Sequence, residues 1–378
     1  VLFLINVPIA VFLLAMGFAK LRESADPSPG RLDLAGIAVL SLAVLSLMYG
    51  LTNIDVEFWA SFQKPEVTGF LGAAVALFAV LYVYESKLER KESGDPILPM
   101  GLIRQPRYLT VLLIGVLSGG MLAAMIFIPG FVENVLGIPA EKSGYWMTPL
   151  ALASGVGAGM GGMLVSRRGP VFAVVLSGIV AGAGFALIPL WTDTRWEFVI
   201  SSMIAGAGMG IILGAPLNIL ATEGLTANKG TALASLSLLR QVGMTIAPTI
   251  YAGFLARSYN RIGDLFATEF PGILQENVER ANLPPEALAE LGEIGRRMAS
   301  GAETVDAGHA GEILASIQHP ALREVVDASA AEITRMAAQN GYSGIYWTAA
   351  AIGALTIAAA VALVPLRRKL AARMTGSA

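Results

Sequence analysis

Uncharged apolar runs of about 20 residues alternate with short polar segments along the whole chain. A run of that length, wound as a helix, crosses the roughly 30 Å of hydrocarbon in a bilayer. The pattern predicts nine membrane-spanning helices: Val1–Phe18, Leu34–Thr52, Val67–Tyr84, Tyr108–Gly130, Ser143–Val165, Pro170–Leu190, Glu197–Leu220, Thr231–Arg257 and Tyr342–Pro365. Because helices satisfy their own backbone hydrogen bonds in lipid and open strands do not, we expect an all-α polytopic membrane protein.

The composition supports this interpretation. Of the 378 residues, 55% are hydrophobic and 14% are charged, whereas soluble domains carry about 25% charged residues. The absence of cysteine excludes disulfides and cysteine-based metal or redox sites. A net charge of −2 gives no reason to expect a nucleic-acid partner.

Cations in the short loops predict the orientation, because cytoplasmic loops carry an excess of lysine and arginine. Fifteen fall on one side of the predicted spans and three, Lys64, Lys142 and Arg195, fall on the other. We therefore expect a multi-pass protein of the bacterial cytoplasmic (inner) membrane, with its C-terminus in the cytoplasm. The apolar run that begins at Val1, without an initiating methionine, indicates a fragment that starts inside a longer protein.

The segment 258–341 is the exception in length and is predicted to lie outside, with 13 acidic and 6 basic side chains. Its stretch Pro285–Met298 has helical spacing of apolar residues after two prolines, which predicts an amphipathic helix. The loop is interpreted as a solvated cap, with a partner-binding or gating role as the alternative. Its two histidines, His309 and His319, have no ligand spacing, so we expect them to be solvated and no metal to be bound.

Arg240 lies near the middle of a predicted span, in the run SLLRQVG. A guanidinium at that depth is costly and marks a functional site, or it is structural and either snorkels or bonds backbone carbonyls of a neighbouring helix. Gln241 points about 100° away around the helix and is a candidate for hydrogen bonding between helices.

Glycines and prolines inside the spans predict close packing and kinks. The runs GAGMG (Gly206–Gly210) and GVGAGMGG (Gly155–Gly162) superficially resemble nucleotide loops, but they lie within apolar spans and lack the accompanying Lys-Ser/Thr. They are interpreted as smooth helix faces. Three prolines, Pro149, Pro216 and Pro248, are predicted to kink their spans.

Two acidic residues, Glu133 and Glu223, fall at span ends, where we expect them to be in contact with water. No paired carboxylates lie within a span, and the sequence contains no HExxH motif, nucleophile elbow or Cys-His pair. The sequence therefore gives no support for an enzyme.

Several segments together resemble one known family. Phe3–Ala10 (FLINVPIA) is similar to that family's FFINVPIG, Pro96–Tyr108 (PILPMGLIRQPRY) to PLLPLxLFRxRxF, and Ile128–Gly137 (IPGFVENVLG) to LPLYLQxVLG. Gly162–Pro170 (GMLVSRRGP) resembles the second copy of the GxLxDRxG loop, and Ser237–Pro248 (SLLRQVGMTIAP) is similar to NLLRQxGGSIG. The chain thus resembles the fourteen-span drug:proton antiporters of the major facilitator superfamily, the EmrB/QacA type.

By this resemblance the chain holds a C-terminal six-helix bundle and the three spans that precede it. Residues 1–19 correspond to the sixth span, 20–107 to two extra central spans with cytoplasmic loops, and 108–257 to the first five spans of the bundle. Residues 258–341 form the large extracytoplasmic loop, and 342–378 the last span and the cytoplasmic tail.

The resemblance implies a secondary active transporter that exports drugs or toxic small molecules by alternating access, driven by the proton gradient and without a cofactor. Its expected partners are a small hydrophobic or cationic substrate, membrane lipid and the N-terminal half of the same protein, which would carry the coupling acid. An accessory protein of the cell envelope is a further candidate. Two alternatives stay open, namely a dedicated metabolite or lipid exporter and a non-transporting receptor or scaffold that uses the outer loop.

Two sets of residues are candidates for this function. The substrate and coupling candidates are Arg240, Gln241, Asn218, Phe127, Trp146 and Glu133. The candidates for a cytoplasmic gate loop are Gly162, Leu164, Arg167 and Gly169, with Ser166 at a position where the family usually has an acid.

Overall fold

The computed structural model describes residues 6–20, 33–53, 62–90, 100–192, 194–225, 229–299 and 317–375. These residues form α-helices and one 3₁₀ turn, Gly144–Met147, and contain no strand. The helices are α1 (Asn6–Lys20), α2 (Leu34–Thr52), α3 (Pro65–Arg90), α4 (Met100–Ile103), α5 (Pro106–Met125), α6 (Ile128–Asn134), α7 (Ala140–Ser143), α8 (Thr148–Arg168), α9 (Pro170–Trp191), α10 (Arg195–Leu213), α11 (Ala215–Thr222), α12 (Lys229–Asn260), α13 (Ile262–Thr268), α14 (Phe270–Ala281), α15 (Pro285–Ala299) and α16 (Pro320–Thr375).

Seven helical stretches within the described ranges are long and apolar enough to cross a membrane. They correspond to seven of the nine predicted spans and support an all-α multi-pass membrane protein. The first predicted span is represented by α1, a shorter apolar helix, and its first five residues lie outside the described ranges. The eighth is α12, which has 32 residues. It is long enough to cross a membrane, but polar residues such as Arg240 and Gln241 make it less apolar than the other seven helical stretches.

Six long helices pack into one bundle. Helix α10 lies between α8 and α9, and α9 packs on α16. Helix α16 also contacts α5 and α12, which pack closely on each other. Helices α2 and α3 form a separate pair, and α2 touches the bundle through α12. The core of the bundle is apolar and includes Ile114, Phe185, Met209 and Tyr346, each fully buried.

Glycines allow these helices to approach each other until their backbones touch. On α8, a methyl group added at Gly161 would lie 2.6 Å from the carbonyl oxygen of Ile211, and one added at Gly157 would overlap the carbonyl of Ala207. The face of α8 that carries Gly155, Gly159 and Gly162 is different, because an added methyl group there would meet nothing within 4 Å. Helix α8 therefore has one glycine face that is closed by α10 and a second that is open.

Prolines have three different effects. Helix α5 ends at Met125 and α6 begins at Ile128, just before Pro129, so the predicted single helix Tyr108–Gly130 is broken. Pro216 follows a break at Gly214 between α10 and α11, whereas Pro248 lies inside the uninterrupted α12. The prediction for Pro149 was wrong: it occupies the first turn of α8, where its missing N–H costs nothing.

Helices α13, α14 and α15 and the first turns of α16 form a small domain, here called the cap. Its own core contains Ala287, Ile317, Leu322 and Val326. The predicted amphipathic helix Pro285–Met298 is confirmed as α15. The last predicted span began at Tyr342, but α16 already begins at Pro320 and continues without a break to Thr375. The final quarter of the predicted outer loop is therefore part of a single long helix.

The Glu290 carboxylate ties the cap to the start of α16. It accepts the backbone N–H groups of Gln318, at 2.7 Å, and His319, at 3.0 Å, and an anion is favoured at a helix N-terminus. The expectation of a solvated His319 was wrong: the residue is half-buried, and its Nδ1 is enclosed without a hydrogen-bond partner among the described residues. Packing of the cap core around this turn encloses the ring. His309 lies outside the described ranges.

The two glycine faces of α8 predict opposite effects of the same substitution. Gly157→Ala forces the α8 and α10 backbones apart and should lower the free energy of unfolding by about 1 to 3 kcal/mol. Gly159→Ala, two residues away, meets no neighbour and should be neutral or stabilising by up to about 1 kcal/mol, because alanine favours the helix. Thermal unfolding in detergent measures both. Equal effects of the two substitutions would contradict the close crossing.

Candidate functional site

Arg240 lies about a third of the way along α12, on the side that faces the bundle. Its backbone carbonyl packs against Gly119 of α5, where an added methyl group would overlap that carbonyl. The side chain is half-buried, and its Nε is enclosed without a hydrogen-bond partner among the described residues. The enclosed Nε bonds to no carbonyl of a neighbouring helix among the described residues, which leaves the functional and the snorkelling interpretations of Arg240 open.

Tyrosine hydroxyls fix the helix pair that carries Arg240. Tyr108, at the start of α5, donates to the carbonyl of Ala232 at 3.0 Å. Tyr251, further along α12, donates to the carbonyl of Gly120 at 2.9 Å. These two bonds lie on opposite sides of Arg240 along the helix, so its depth and its rotation about the α12 axis are both set by the packing of α5.

Gln241 faces away from Arg240, as the helical spacing predicts. It is exposed and lines a groove between α12 and α2, together with Ser237 and Thr245 on the same face. Asn218, on α11, and Glu133, on α6, are exposed, and neither is paired with Arg240. The structure therefore does not gather these four candidates into one cavity within the described residues.

Phe127 and Trp146 belong to an aromatic cluster at the end of the bundle that carries the cap. Phe127 meets Tyr251 edge to face, with ring centroids 5.8 Å apart. Trp146 lies 6.3 Å from Phe198, and Phe198 stacks on Phe131 at 5.5 Å. Phe131 also contacts Tyr342 and Tyr346 edge to face. Both candidates are half-buried and connect α6 and the 3₁₀ turn to the bundle by aromatic packing.

The predicted gate loop is a single-residue turn. Gly162, Leu164 and Arg167 all lie inside α8, which continues to Arg168, and α9 begins at Pro170. Only Gly169 stands between the two helices, with φ of 88°, a conformation that glycine adopts at little cost. Gly162 and Leu164 already lay inside the predicted span Ser143–Val165, and the helix continues three residues further, to Arg168, because arginine is a good helix former.

A charged clamp lies at the opposite end of the bundle from the cap, and the sequence did not predict it. The Arg107 guanidinium forms an ion pair with the Glu223 carboxylate at 3.1 Å and donates to the carbonyls of Glu223, at 2.6 Å, and Leu220, at 3.3 Å. The Arg107 side chain is 7% exposed and that of Glu223 is 28% exposed. Glu223 keeps partial contact with water, as expected at a span end, but its carboxylate is also paired with Arg107. The clamp joins the start of α5 to the end of α11.

No group of three or more His, Cys, Asp or Glu residues in the described ranges is arranged to hold a metal ion. The glycine run Gly206–Gly210 lies within α10, so it forms no phosphate-binding loop. The site thus consists of helix faces, a mid-span cation and a groove between α2 and α12.

Sequence comparison agrees with this architecture. Residues 1–248 match the Major Facilitator Superfamily. The chain belongs to the Major Facilitator Superfamily. It is 44% identical over 369 residues to the uncharacterized MFS-type transporter YfiU of Bacillus subtilis, covering 97% of this chain and 67% of that protein. A protein of this superfamily is a transporter rather than an enzyme.

More distant relatives carry names that state an activity. The multidrug transporter protein MdtP of Bacillus subtilis is 28% identical over 267 residues, which are 69% of this chain and 48% of MdtP. The tetracenomycin C resistance and export protein of Streptomyces glaucescens is 28% identical over 329 residues, 82% of this chain and 56% of that protein. The chain thus spans about half to two thirds of these superfamily members.

Removing the charged clamp should greatly lower the free energy of unfolding of this superfamily member. Arg107→Ala removes the ion pair and two carbonyl contacts at once, and breaking a buried pair costs about 3 to 5 kcal/mol. Because Glu223 is partly exposed, we expect the lower part of that range. Arg195→Ala, at an exposed arginine, is the control and should leave the unfolding temperature unchanged. If Arg107→Ala unfolds at the wild-type temperature, the clamp contributes no stability.

Proposed function

We propose that this protein exports lipophilic or cationic small molecules in exchange for protons, by alternating access, as a member of the fourteen-span EmrB/QacA branch. In this proposal the six-helix bundle moves against a second bundle that the full-length protein supplies. The name of the tetracenomycin C resistance and export protein favours export over import. The proposal places the protein in the bacterial inner membrane, with the clamp end in the cytoplasm and the cap outside.

The observation that carries the proposal is the mid-span guanidinium of Arg240. A charge at that depth is costly and is retained where it serves transport or pairs with the protein. Its Nε is enclosed, but no described residue bonds to it. We infer that Arg240 meets a substrate, a proton carrier or a carboxylate of the second bundle, and that this contact changes during the transport cycle.

The open glycine face of α8 supports the proposal that a second bundle packs against this one. Gly155, Gly159 and Gly162 leave a smooth surface between exposed apolar side chains such as Leu152 and Val156. Helices pack closely in membranes where small residues allow the backbones to approach. A face of this kind suits a partner helix that must slide rather than interlock.

Arg240→Ala tests whether the mid-span guanidinium is needed for transport. In everted membrane vesicles with the full-length protein, wild type should accumulate a fluorescent lipophilic cation when respiration acidifies the lumen. We expect Arg240→Ala to slow the initial rate at least about tenfold, equivalent to roughly 1.4 kcal/mol. Dissipating the proton gradient with nigericin should stop wild-type transport.

Arg257→Ala, at an exposed arginine of the same helix, is the matched control and should transport normally at equal membrane levels. Transport by Arg240→Ala at the wild-type rate would make Arg240 structural. If wild type moves no cation but moves a single metabolite or lipid from a broader panel, the dedicated exporter replaces the drug exporter. If no compound moves and removal of residues 258–341 abolishes a partner interaction, the scaffold function replaces the drug exporter instead.

Filling the open face of α8 gives a second test. Gly159→Leu adds a side chain where the isolated bundle has space, so we expect an unchanged unfolding temperature and a clearly slower transport rate. Gly69→Leu adds the same side chain at an open position of α3 and should change neither. Normal transport by Gly159→Leu would contradict a sliding contact at this face.

A further inference from the structure

Three tryptophans at the cap end of the bundle project away from the protein. Trp196, in the first turn of α10, is 78% exposed, and Trp347 of α16 is 47% exposed. Trp191, the last residue of α9, is 43% exposed. An indole combines a large apolar ring with an N–H donor, and such a side chain suits a boundary between apolar and wet surroundings.

The buried aromatic cluster fixes these side chains at one level of the bundle. Trp347 directly follows Tyr346, whose ring meets Phe131 edge to face at 5.6 Å. Phe131 stacks on Phe198 at 5.5 Å, and Phe198 lies two residues after Trp196. Residues one or two positions apart on a helix point in different directions, so the inner rings pack in the core while the tryptophans face outward.

Basic residues mark the other end of the same helices at a similar distance. Helix α9 has 22 residues and ends at Trp191, so it is roughly 33 Å long, and the exposed Arg168 stands two residues before its start. On α16, Arg367 follows Trp347 by 20 residues, which is roughly 30 Å. Both lengths agree with a hydrocarbon layer of about 30 Å.

The exposed surface of α16 changes its chemistry at Trp347. Before it, Arg335 is exposed and lies 3.9 Å from the carboxylate of Glu332, an ion pair that suits water. After it, Leu355 and Val361 are 56% and 55% exposed, as expected for a face in contact with lipid. Trp347 therefore stands at the boundary between the wet and the apolar part of this helix.

We propose that Trp191, Trp196 and Trp347 form an interfacial belt that binds the ester and headgroup layer of the phospholipids at the cap end of the bundle. The rings lie among the upper acyl chains, and the indole N–H groups donate to ester carbonyl oxygens or to water. Tryptophan is enriched in this layer of membranes because its ring is apolar and its N–H needs an acceptor.

The belt limits how much of α16 lies in the membrane. The helix has 56 residues and is roughly 84 Å long, more than twice the thickness of the hydrocarbon layer. With Trp347 at the interface, the residues from Pro320 to Tyr346 reach up to roughly 40 Å into water. The cap core, which includes Leu322 and Val326, therefore stands clear of the bilayer.

Fluorescence quenching from within the bilayer tests the belt. Forms of the full-length protein that keep a single tryptophan are reconstituted into phosphatidylcholine vesicles with a nitroxide at the fifth or the twelfth carbon of an acyl chain. The fifth carbon lies close to the ester group and the twelfth close to the centre of the bilayer. We expect the shallow nitroxide to quench Trp191, Trp196 and Trp347 at least about twofold more strongly than the deep one, because an interfacial indole lies at the level of the ester groups.

Two further single-tryptophan forms are the controls. Ile179→Trp places the indole at an exposed position of α9, roughly 18 Å from Trp191 along the helix, so the deep nitroxide should quench it more strongly. Trp146 is half-buried and packs against Phe198, so both nitroxides should quench it weakly.

Thiol labelling is an independent test that leaves every tryptophan in place. In a cysteine-free background, Thr334→Cys and Leu355→Cys each put one thiol at an exposed position of α16, on opposite sides of Trp347. A membrane-impermeant maleimide, supplied on both sides of the bilayer, should label Thr334→Cys at least about tenfold faster, because the hydrocarbon around residue 355 contains no water.

Stronger quenching by the deep nitroxide, or equal quenching by both, at any of the three tryptophans would overturn the belt. Quenching as weak as that of Trp146 would overturn it as well, because another part of the protein would then cover the indole. Equal labelling of the two thiols would overturn the membrane boundary at Trp347. Neither measurement involves transport, so failure of the proposed export function would leave the belt standing.

Discussion

Contact between helix backbones at glycine is the constraint on which this bundle depends. Lipid tails are as apolar as the side chains of the helices, so burial from water does not hold helices together within a membrane. The helices of this chain associate by close approach, and Gly119, Gly157 and Gly243 each lie where a side chain would overlap a neighbouring carbonyl. The α5–α12 contact at Gly119 involves Arg240 itself, so the packing that stabilises the bundle also fixes the position of its mid-span charge.

Helix α12 separates two environments. One face, with Leu236, Gly243 and Ala247, is buried in the bundle, and the opposite face lines the groove beside α2. Arg240 borders the first and Gln241 belongs to the second, although they are neighbours in sequence. Because both are rigidly attached to one helix, a rotation of α12 that exposes Arg240 must also reorient Gln241 relative to α2. The groove beside α2 and the proposed coupling residue are thus linked through one helix.

Much of the fold could be predicted from hydropathy. A membrane span must be apolar along about 20 residues, so its position can be read from the sequence without knowing which helices it packs against. The α2 helix, Leu34–Thr52, has the predicted bounds, and α15 was predicted from its periodicity. Tertiary contacts were not predictable. Nothing in the sequence distinguishes Arg107 from the other loop cations, yet it is buried against Glu223. Likewise, the apolar spacing around Phe127 and Trp146 does not reveal that they pack within an aromatic cluster rather than line a cavity.

The continuity of α16 connects the cap to the bundle. Leu322 and Val326 belong to the cap core, whereas Gly353, on the same helix, packs against Gly178 and Gly182 of α9. No loop separates these two regions, and α16 has one internal proline, Pro365, which lies beyond both. The two regions therefore share one continuous helix, and the helix segment that follows the cap packs against α5, α9 and α12. Gly341, Ser343 and Gly344 lie between them, and Gly/Ser pairs are where long helices bend. A movement of the cap is thus passed to the bundle through α16 to the extent that the helix stays straight at this point.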